Sequence, residues 1–154
     1  MTRSKILARD LRQGDFAKWK PLWDGYNEFY GRKDATALPD EITNLTWARF
    51  FDAHEPIHAL VAEDSGKLLG LVHYLFHRSS TSLTSNCYLQ DLFTVESARG
   101  QGVGRALIEE VYRRAAQAGA AKVYWQTHET NAQAMKLYDR LGTKSGFIIY
   151  SRDL

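Results

Sequence analysis

The alternation of apolar and polar positions divides the chain into short strands and amphipathic helices. Ile6 to Leu11 reads as an opening strand, and Gly14-Asp15 leads into FAKWKPLWDGYNEFYG, where Phe16, Trp19, Leu22 and Trp23 recur at helical spacing. Pro21 is placed to bend this helix, and Gly25 and Gly31 with Arg32, Lys33 and Asp34 mark a loop. Thr43 or Asn44 is positioned to cap a second helix through LTWARFFDA that ends before Pro56. Ile57 to Glu63 and Leu68 to His77 are apolar strands around Asp64-Ser65-Gly66-Lys67, a hairpin signal. A third strand runs from Thr84 to Thr94 behind a Ser/Thr-rich turn.

In the second half Val103, Leu107, Val111, Ala115 and Ala118 share one helical face, while Glu109 with Arg113 and Glu110 with Arg114 form i,i+4 pairs outside it. Gly119 ends that helix. Lys122 to Thr127 reads as a strand, Asn131 opens an amphipathic helix through AMKLYDRLG, and Gly146 to Arg152 (GFIIYSR) reads as a closing strand. The order is strand, two helices, three strands, helix, strand, helix, strand. A mixed α/β domain follows, with antiparallel middle strands and a later strand-helix-strand unit able to run parallel.

Composition narrows the class. A chain of 154 residues, 44% hydrophobic and 25% charged, is the size of one globular domain with one substantial core, so a single domain over 1–154 is expected. The net charge of +2 comes from basic residues scattered among acids, which points away from a nucleic-acid partner. Cys87 is the sole cysteine, which suits a reducing compartment. The start, MTRSKILARDLRQGD, has no apolar stretch of signal-peptide length, and no apolar run approaches the roughly 20 residues of a membrane span. The expectation is a cytoplasmic protein that does not enter the membrane.

Gly100, Gly102 and Gly104 fall between a strand end and a helix start, where backbone N–H groups at the positive helix terminus favour an anion, above all phosphate. A plain strand-to-helix turn would use the same glycines. Two familiar phosphate motifs fail on spacing: a P-loop needs Lys-Ser/Thr after its last glycine, where this chain has Arg105-Ala106, and a dinucleotide fingerprint needs glycine where Arg105 stands.

Arg99-x-x-Gly102-x-Gly104 after Leu89-Gln90-Asp91-Leu92-Phe93-Thr94 resembles the signature of the GNAT N-acetyltransferase superfamily. About 27 residues after Gly104, Asn131-Ala-Gln-Ala134-Met-Lys-Leu137-Tyr138 is similar to that family's Asn-x-x-Ala-x-x-x-Tyr segment, and Gly146-Phe147 opens the last strand as it does there. YLQDLFTVESARGQGVGRALIEEVY with VYWQTHETNAQAMKLYDRLGTKSGF looks like the histone and polyamine acetyltransferase branch. Thr94 departs from the pattern, standing where the family has a plain apolar residue. The resemblance implies an acyl-CoA N-acyltransferase fold, a mixed central sheet of about six to seven strands flanked by about four helices. It also implies direct transfer of an acetyl group from acetyl-CoA, as cosubstrate, to a primary amine, without metal or covalent enzyme intermediate. A homodimer or larger homo-oligomer is implied too, with GFIIYSR as an interface edge.

Roles then follow from the resemblance. Backbone groups of Leu92, Phe93 and Thr94 would take the pantetheine arm and polarise the thioester. Arg99, Gly100, Gln101, Gly102, Val103, Gly104 and Arg105 would surround the pyrophosphate, and Asn131 and Ala134 would meet the pantetheine. Tyr138 would protonate the departing thiolate. An alkyl amine with a pKa near 10.4 needs about 4.6 kcal/mol to be neutral at pH 7, so a base is required, and Asp91 and Glu129 are the candidates. Trp23, Tyr26, Glu28 and Tyr30, with Asp24 and Phe29 beside them, combine aromatic faces and carboxylates suited to a small cationic acceptor such as a polyamine or an amino acid. The same residues would serve as core and solvated surface. A protein-lysine acetyltransferase and a non-catalytic acyl-CoA sensor remain alternatives. A metal reading of His73 and His77 fails, since positions four apart on a strand are separated by roughly 13 Å. Cys87 lacks the setting of a nucleophile.

Overall fold

A computed structural model describes residues 5–154. Residues 1–4, the start of the domain expected over 1–154, lie outside the described residues. Strands β1 (Leu7–Asp10), β2 (Ile57–Asp64), β3 (Lys67–His77), β4 (Asn86–Thr94) and β5 (Val123–Tyr124) form one sheet in that order. The first four are antiparallel to their neighbours, and β5 runs parallel to β4. Helices α1 (Phe16–Phe29) and α2 (Asp40–Arg49) precede β2, α3 (Val103–Gln117) joins β4 to β5, and α4 (Ala132–Leu141) follows β5.

Both sheet faces are covered, which is why β2 and β3 read as continuous apolar runs. Leu60, Val72, Leu89, Leu107, Ile108 and Val111 make the core beneath α3 and α4. Trp19, Leu22, Trp23, Val61 and Leu71 make the core beneath α1, with Trp47, Phe50 and Phe51 of α2 and its C-terminal end packed against it. Consecutive residues of one strand thus feed opposite cores, as Leu60 and Val61 do.

A bulge re-aims the end of β4. Tyr74 pairs with Leu89 and His73 with Asp91, so Gln90 is the extra residue. Strict alternation would put Leu89, Asp91 and Phe93 on one face. The insertion reverses the pleat, so that Leu89 and Leu92 serve the α3 core while Phe93 packs with α1.

Several expectations are corrected. Helix α1 runs through both Pro21 and Gly25. Gly25 marks a close approach, not a loop, because a Cβ there would stand 2.7 Å from Phe93 Cζ. Helix α2 begins directly after Pro39, with Asp40 and Glu41 in the first turn where they complement the helix dipole. Thr43 therefore lies inside it, and its hydroxyl accepts a hydrogen bond from Trp23 Nε1 at 3.2 Å. Of the expected strand at 122–127 only Val123 and Tyr124 pair, and Gly146–Arg152 forms no strand. The described sheet has five strands, fewer than the six to seven expected. GFIIYSR has strand composition, but among the described residues no strand pairs with it.

Candidate active site

The site starts where parallel strands part. After Tyr88 and Tyr124 the β4–β5 ladder ends, and Leu89–Thr94 diverges from residues 125–128. At the wide end of this opening stands the N-terminus of α3. Gly102 caps it in the left-handed conformation with no side-chain cap. The first bond closes from Ala106 N–H to Gly102 O at 3.0 Å, leaving the N–H groups of Val103, Gly104 and Arg105 outside the helical ladder. A Cβ at Gly100 or Gly102 would meet nothing within 4 Å, so their backbone faces open space. Three free amides at a positive helix end suit the pyrophosphate of an acyl-CoA.

The neighbouring side chains divide by what holds them. Arg99 donates from Nε to Thr94 O at 3.3 Å and lies 6.0 Å from the Phe93 ring centre. Gln101 donates to Ser97 O at 3.2 Å. Arg105 is tied to Glu109 at 2.9 Å along the exposed face of α3. Val103 is buried in the core, so only its N–H faces outward. Leu92 also packs into the core beneath α3, and its backbone alone lies along the opening. Asn131 stands at the α4 N-cap position without making the side-chain cap, and its amide donates to Thr127 Oγ1 at 3.1 Å. Ala134 lies half-buried on the first turn of α4.

Beside this opening α1 delivers a ladder of rings. Trp19, Trp23, Tyr26 and Tyr30 follow at helical spacing with successive centroids 5.8, 5.3 and 5.0 Å apart. Trp19 is fully buried and Tyr30 is 45% exposed, so the ladder leads from core to surface. Tyr26 and Tyr30 have raised pKa values, first by burial and then by the Asp91 carboxylate. Tyr88 of β4 is raised by burial and also feels Asp91 and Tyr30. Burial pushes the Tyr138 phenol up to about 12, with Tyr30 contributing, and Trp125 meets its ring edge-to-face at 5.6 Å. Tyr26, Tyr30, Tyr88, Asp91 and Tyr138, from three elements, therefore share one electrostatic neighbourhood.

Asp91 is the buried acid of that group, and its setting is built from behind. His73, fully buried on β3, places Nδ1 2.9 Å from Asp91 Oδ2. Trp19 Nε1 donates to His73 Nε2 at 3.2 Å, so Nε2 is the acceptor and Nδ1 carries the proton donated to Asp91. Phe50, Trp23 and Trp19 surround the imidazole at 4.5 to 6.0 Å.

A cation faces the same two tyrosines. The Arg32 guanidinium carbon lies 5.9 Å from the Tyr26 ring centre and 5.6 Å from that of Tyr30. It also lowers both phenols, opposing Asp91. Helix α1 ends in a Schellman motif: Gly31 N–H bonds Glu28 O and Arg32 N–H bonds Asn27 O, both at 2.9 Å, around Gly31 at φ 80°. Arg32 Nε then donates to Asn27 Oδ1 at 2.7 Å, and buried Asn27 donates to Trp23 O at 2.8 Å. No carboxylate pairs with Arg32 among the described residues.

Not every expected residue joins this cluster. Trp23 is a core residue whose indole N–H is taken by Thr43. Glu28 is exposed on the far side of α1 from Tyr26 and Tyr30, and Asp24 is paired with Lys20 at 2.7 Å. Exposed Phe29 packs against the edge of Tyr30. Glu129 is exposed in the turn before α4 and lacks the buried partners of Asp91. Buried Cys87 has its thiol pushed up to about 11, so it is no thiolate at neutral pH. His77 bonds the Tyr124 hydroxyl at 2.6 Å, apart from His73. Arg32 and His73 were the residues whose part the sequence did not reveal.

An α/β sheet with two parting parallel strands, and a glycine-rich helix N-terminus across the gap, defines a transferase of the acyl-CoA class. The profile of the Acetyltransferase (GNAT) family matches residues 19–143, and the chain belongs to that family. It is an acetyl-CoA-dependent N-acetyltransferase. The chain is 35% identical to the D-amino-acid N-acetyltransferase HPA3 of Saccharomyces cerevisiae, over 99% of this chain and 94% of that protein. It is 25% identical to the thialysine N-epsilon-acetyltransferase of Sus scrofa, over 92% and 85%. The solved aminoglycoside N-acetyltransferase AAC(6')-Iy in complex with CoA shares the fold, with a TM-score of 0.82 at 18% identity over 97% of this chain and 95% of that one. None of the described helices is long and apolar enough to cross a membrane.

Proposed function

We propose that the chain, acting as one domain, acetylates the amino group of a small amino-acid-like acceptor. The observation that carries this reading is the pair of opposite charges, Asp91 and Arg32, on the same two tyrosines. A zwitterionic acceptor fits between them, its ammonium toward Asp91 and its carboxylate toward the Arg32 fork. A polyamine would bring positive charge against Arg32 with no carboxylate to offset it. The kinship to a D-amino-acid N-acetyltransferase supports the same class.

The chemistry assigns one task to each group. The α3 amides and Arg99 hold the pyrophosphate of acetyl-CoA, and the free edge of β4 at Phe93 and Thr94 aligns the thioester. Asp91, fixed by His73, draws the acceptor ammonium in and takes its proton, directly or through water. The freed nitrogen lone pair attacks the thioester carbonyl carbon, the C–S bond breaks as the leaving sulfur takes a proton from Tyr138, and the second proton that the nitrogen sheds returns through solvent to the Tyr138 phenolate. Because burial raises its pKa, the Tyr138 phenol stays protonated through the neutral range and is available as that donor.

Thiol release from acetyl-CoA is the test, with D- and L-amino acids, their carboxamides, a polyamine, an aminoglycoside and a lysine-rich peptide as acceptors. Free amino acids are expected to give the highest kcat/KM. Preference for the polyamine or the peptide would contradict the reading.

A further inference from the structure

Beyond Tyr124 no ladder of the sheet fixes the chain, and Trp125 is the first residue left to be held by its side chain. The indole packs against the core beneath α3, with the Tyr112 ring centre 6.3 Å away. The C-terminal end of α4 closes on it at Gly142, where a Cβ would stand 2.9 Å from Trp125 Cη2. These two walls are tied together, since the Tyr112 hydroxyl donates to Leu141 O at 2.7 Å. Glycine after a helix usually serves a left-handed turn. Gly142 does not, because its backbone is extended at φ −149° and ψ −172°, a conformation other residues adopt freely. The atoms that a Cβ would meet there all belong to the indole.

Trp125 in turn meets Tyr138 edge-to-face, with ring centres 5.6 Å apart and planes at 71°. Among the described residues no group hydrogen-bonds the Tyr138 hydroxyl, and none of the fully buried side-chain polar atoms lacks a partner. The hydroxyl therefore reaches accessible space, near enough to Tyr30 of α1 to feel it. A phenol without a tether of its own points where its ring is packed. We infer that Trp125 is a positioning residue: gripped by Tyr112 and Gly142, its indole sets the Tyr138 ring and aims the free hydroxyl at the departing sulfur. This rests on the proposed role of Tyr138 as the acid. A hydroxyl with no protein partner breaks no internal hydrogen bond when it donates, so its aim is what the surroundings must supply. A reacting group misplaced by about 1 Å can cost roughly 100-fold in rate.

The test is thiol release from acetyl-CoA with whichever of the amines named above turns over fastest. The variants are Trp125→Leu, Gly142→Ala, Tyr138→Phe, and each of the first two combined with Tyr138→Phe. Trp125→Leu removes the ring edge. Gly142→Ala keeps the indole and presses on it, and decides the matter if Trp125→Leu does not fold. Tyr138→Phe is expected to lower kcat by about 10² or more. Trp125→Leu and Gly142→Ala are each expected to lower kcat by about tenfold, with the KM for acetyl-CoA unchanged. In the Tyr138→Phe background, where no hydroxyl is left to aim, either change is expected to cost less than about twofold. A merely structural role would cost the same factor in both backgrounds. Full kcat in the deciding variant, or a loss undiminished in the Tyr138→Phe background, overturns the inference and leaves Tyr138 as the acid. Full kcat in Tyr138→Phe removes the acid itself, and the inference with it.

Discussion

Asp91 shows how one side chain acquires a role from its surroundings. Its carboxylate is backed by His73 and Trp19 from the core and faces Tyr26 and Tyr30 toward solvent. Asp91→Asn keeps the shape but removes the group proposed to take the amine's proton. A kcat/KM for the acceptor lower by about 10²–10⁴ is expected, with the acetyl-CoA KM unchanged, as initial-rate kinetics would measure. Equal losses on both substrates would point to a folding defect instead. Tyr138 could be put forward from the sequence because it lies in a spaced motif, and Asp91, with Glu129, because it is an acid on the strand before the glycines. His73 could not be, because a histidine within an apolar strand gives no sign of its partner across the sheet. Arg32 looked like loop charge, and only the Schellman turn after α1 brings it back over Tyr26 and Tyr30.

At the level of elements, α1 packs closely on the end of β4. Gly25 is the contact point, with Phe93 beneath it. In an exposed helix interior, glycine to alanine gains about 1 kcal/mol from propensity. Here Gly25→Ala is expected to reverse that sign and cost about 1–3 kcal/mol through overpacking, read as a lower melting temperature. A stabilised variant would show that α1 has room to spare. The hairpin β2–β3 and helices α3 and α4 were legible, since periodicity and glycine placement agreed there. The Gln90 bulge was not. Period-two reasoning assigns Asp91 to the face of Leu89, and the extra residue moves the end of β4 over.

Across the whole molecule, two ionic clusters fasten β1 to its neighbours. Arg9 bonds Asp15 at 2.8 Å and Glu63 at 3.0 Å, and Arg114 of α3 bonds Asp10 at 2.7 Å and Glu110 at 2.8 Å. The Arg9 hydrogen bond holds Asp15 below the usual carboxylate range, and Arg113 with Arg114 pulls Glu110 down to about 2. These carboxylates are more acidic folded than unfolded. Their stabilisation is therefore complete above the unfolded pKa of roughly 4 and is lost as pH falls toward about 2. Arg9→Met leaves Asp15 with its main partner gone. A loss of about 3 kcal/mol at pH 7 is expected, shrinking in acid, as melting curves across pH would show. A pH-independent loss would mean that packing of the Arg9 stem dominates. At this scale the mixed α/β class was legible from the order of strands and helices, whereas the second core beneath α1 was not. The closing strand expected at Gly146–Arg152 did not form, because strand composition alone does not supply the neighbour that a strand must pair with.

The proposed pairing of Asp91 and Arg32 with the acceptor is tested most directly by comparing kcat/KM for an amino acid with that for its carboxamide, in the wild type and in Arg32→Gln. A charge-assisted contact of about 1.5–3 kcal/mol predicts a roughly 10- to 150-fold wild-type preference for the free acid. In Arg32→Gln that preference is expected to fall toward one, while turnover of the carboxamide is retained. A wild type indifferent to the carboxylate, or a preference that survives in Arg32→Gln, would contradict the pairing of Arg32 with the acceptor.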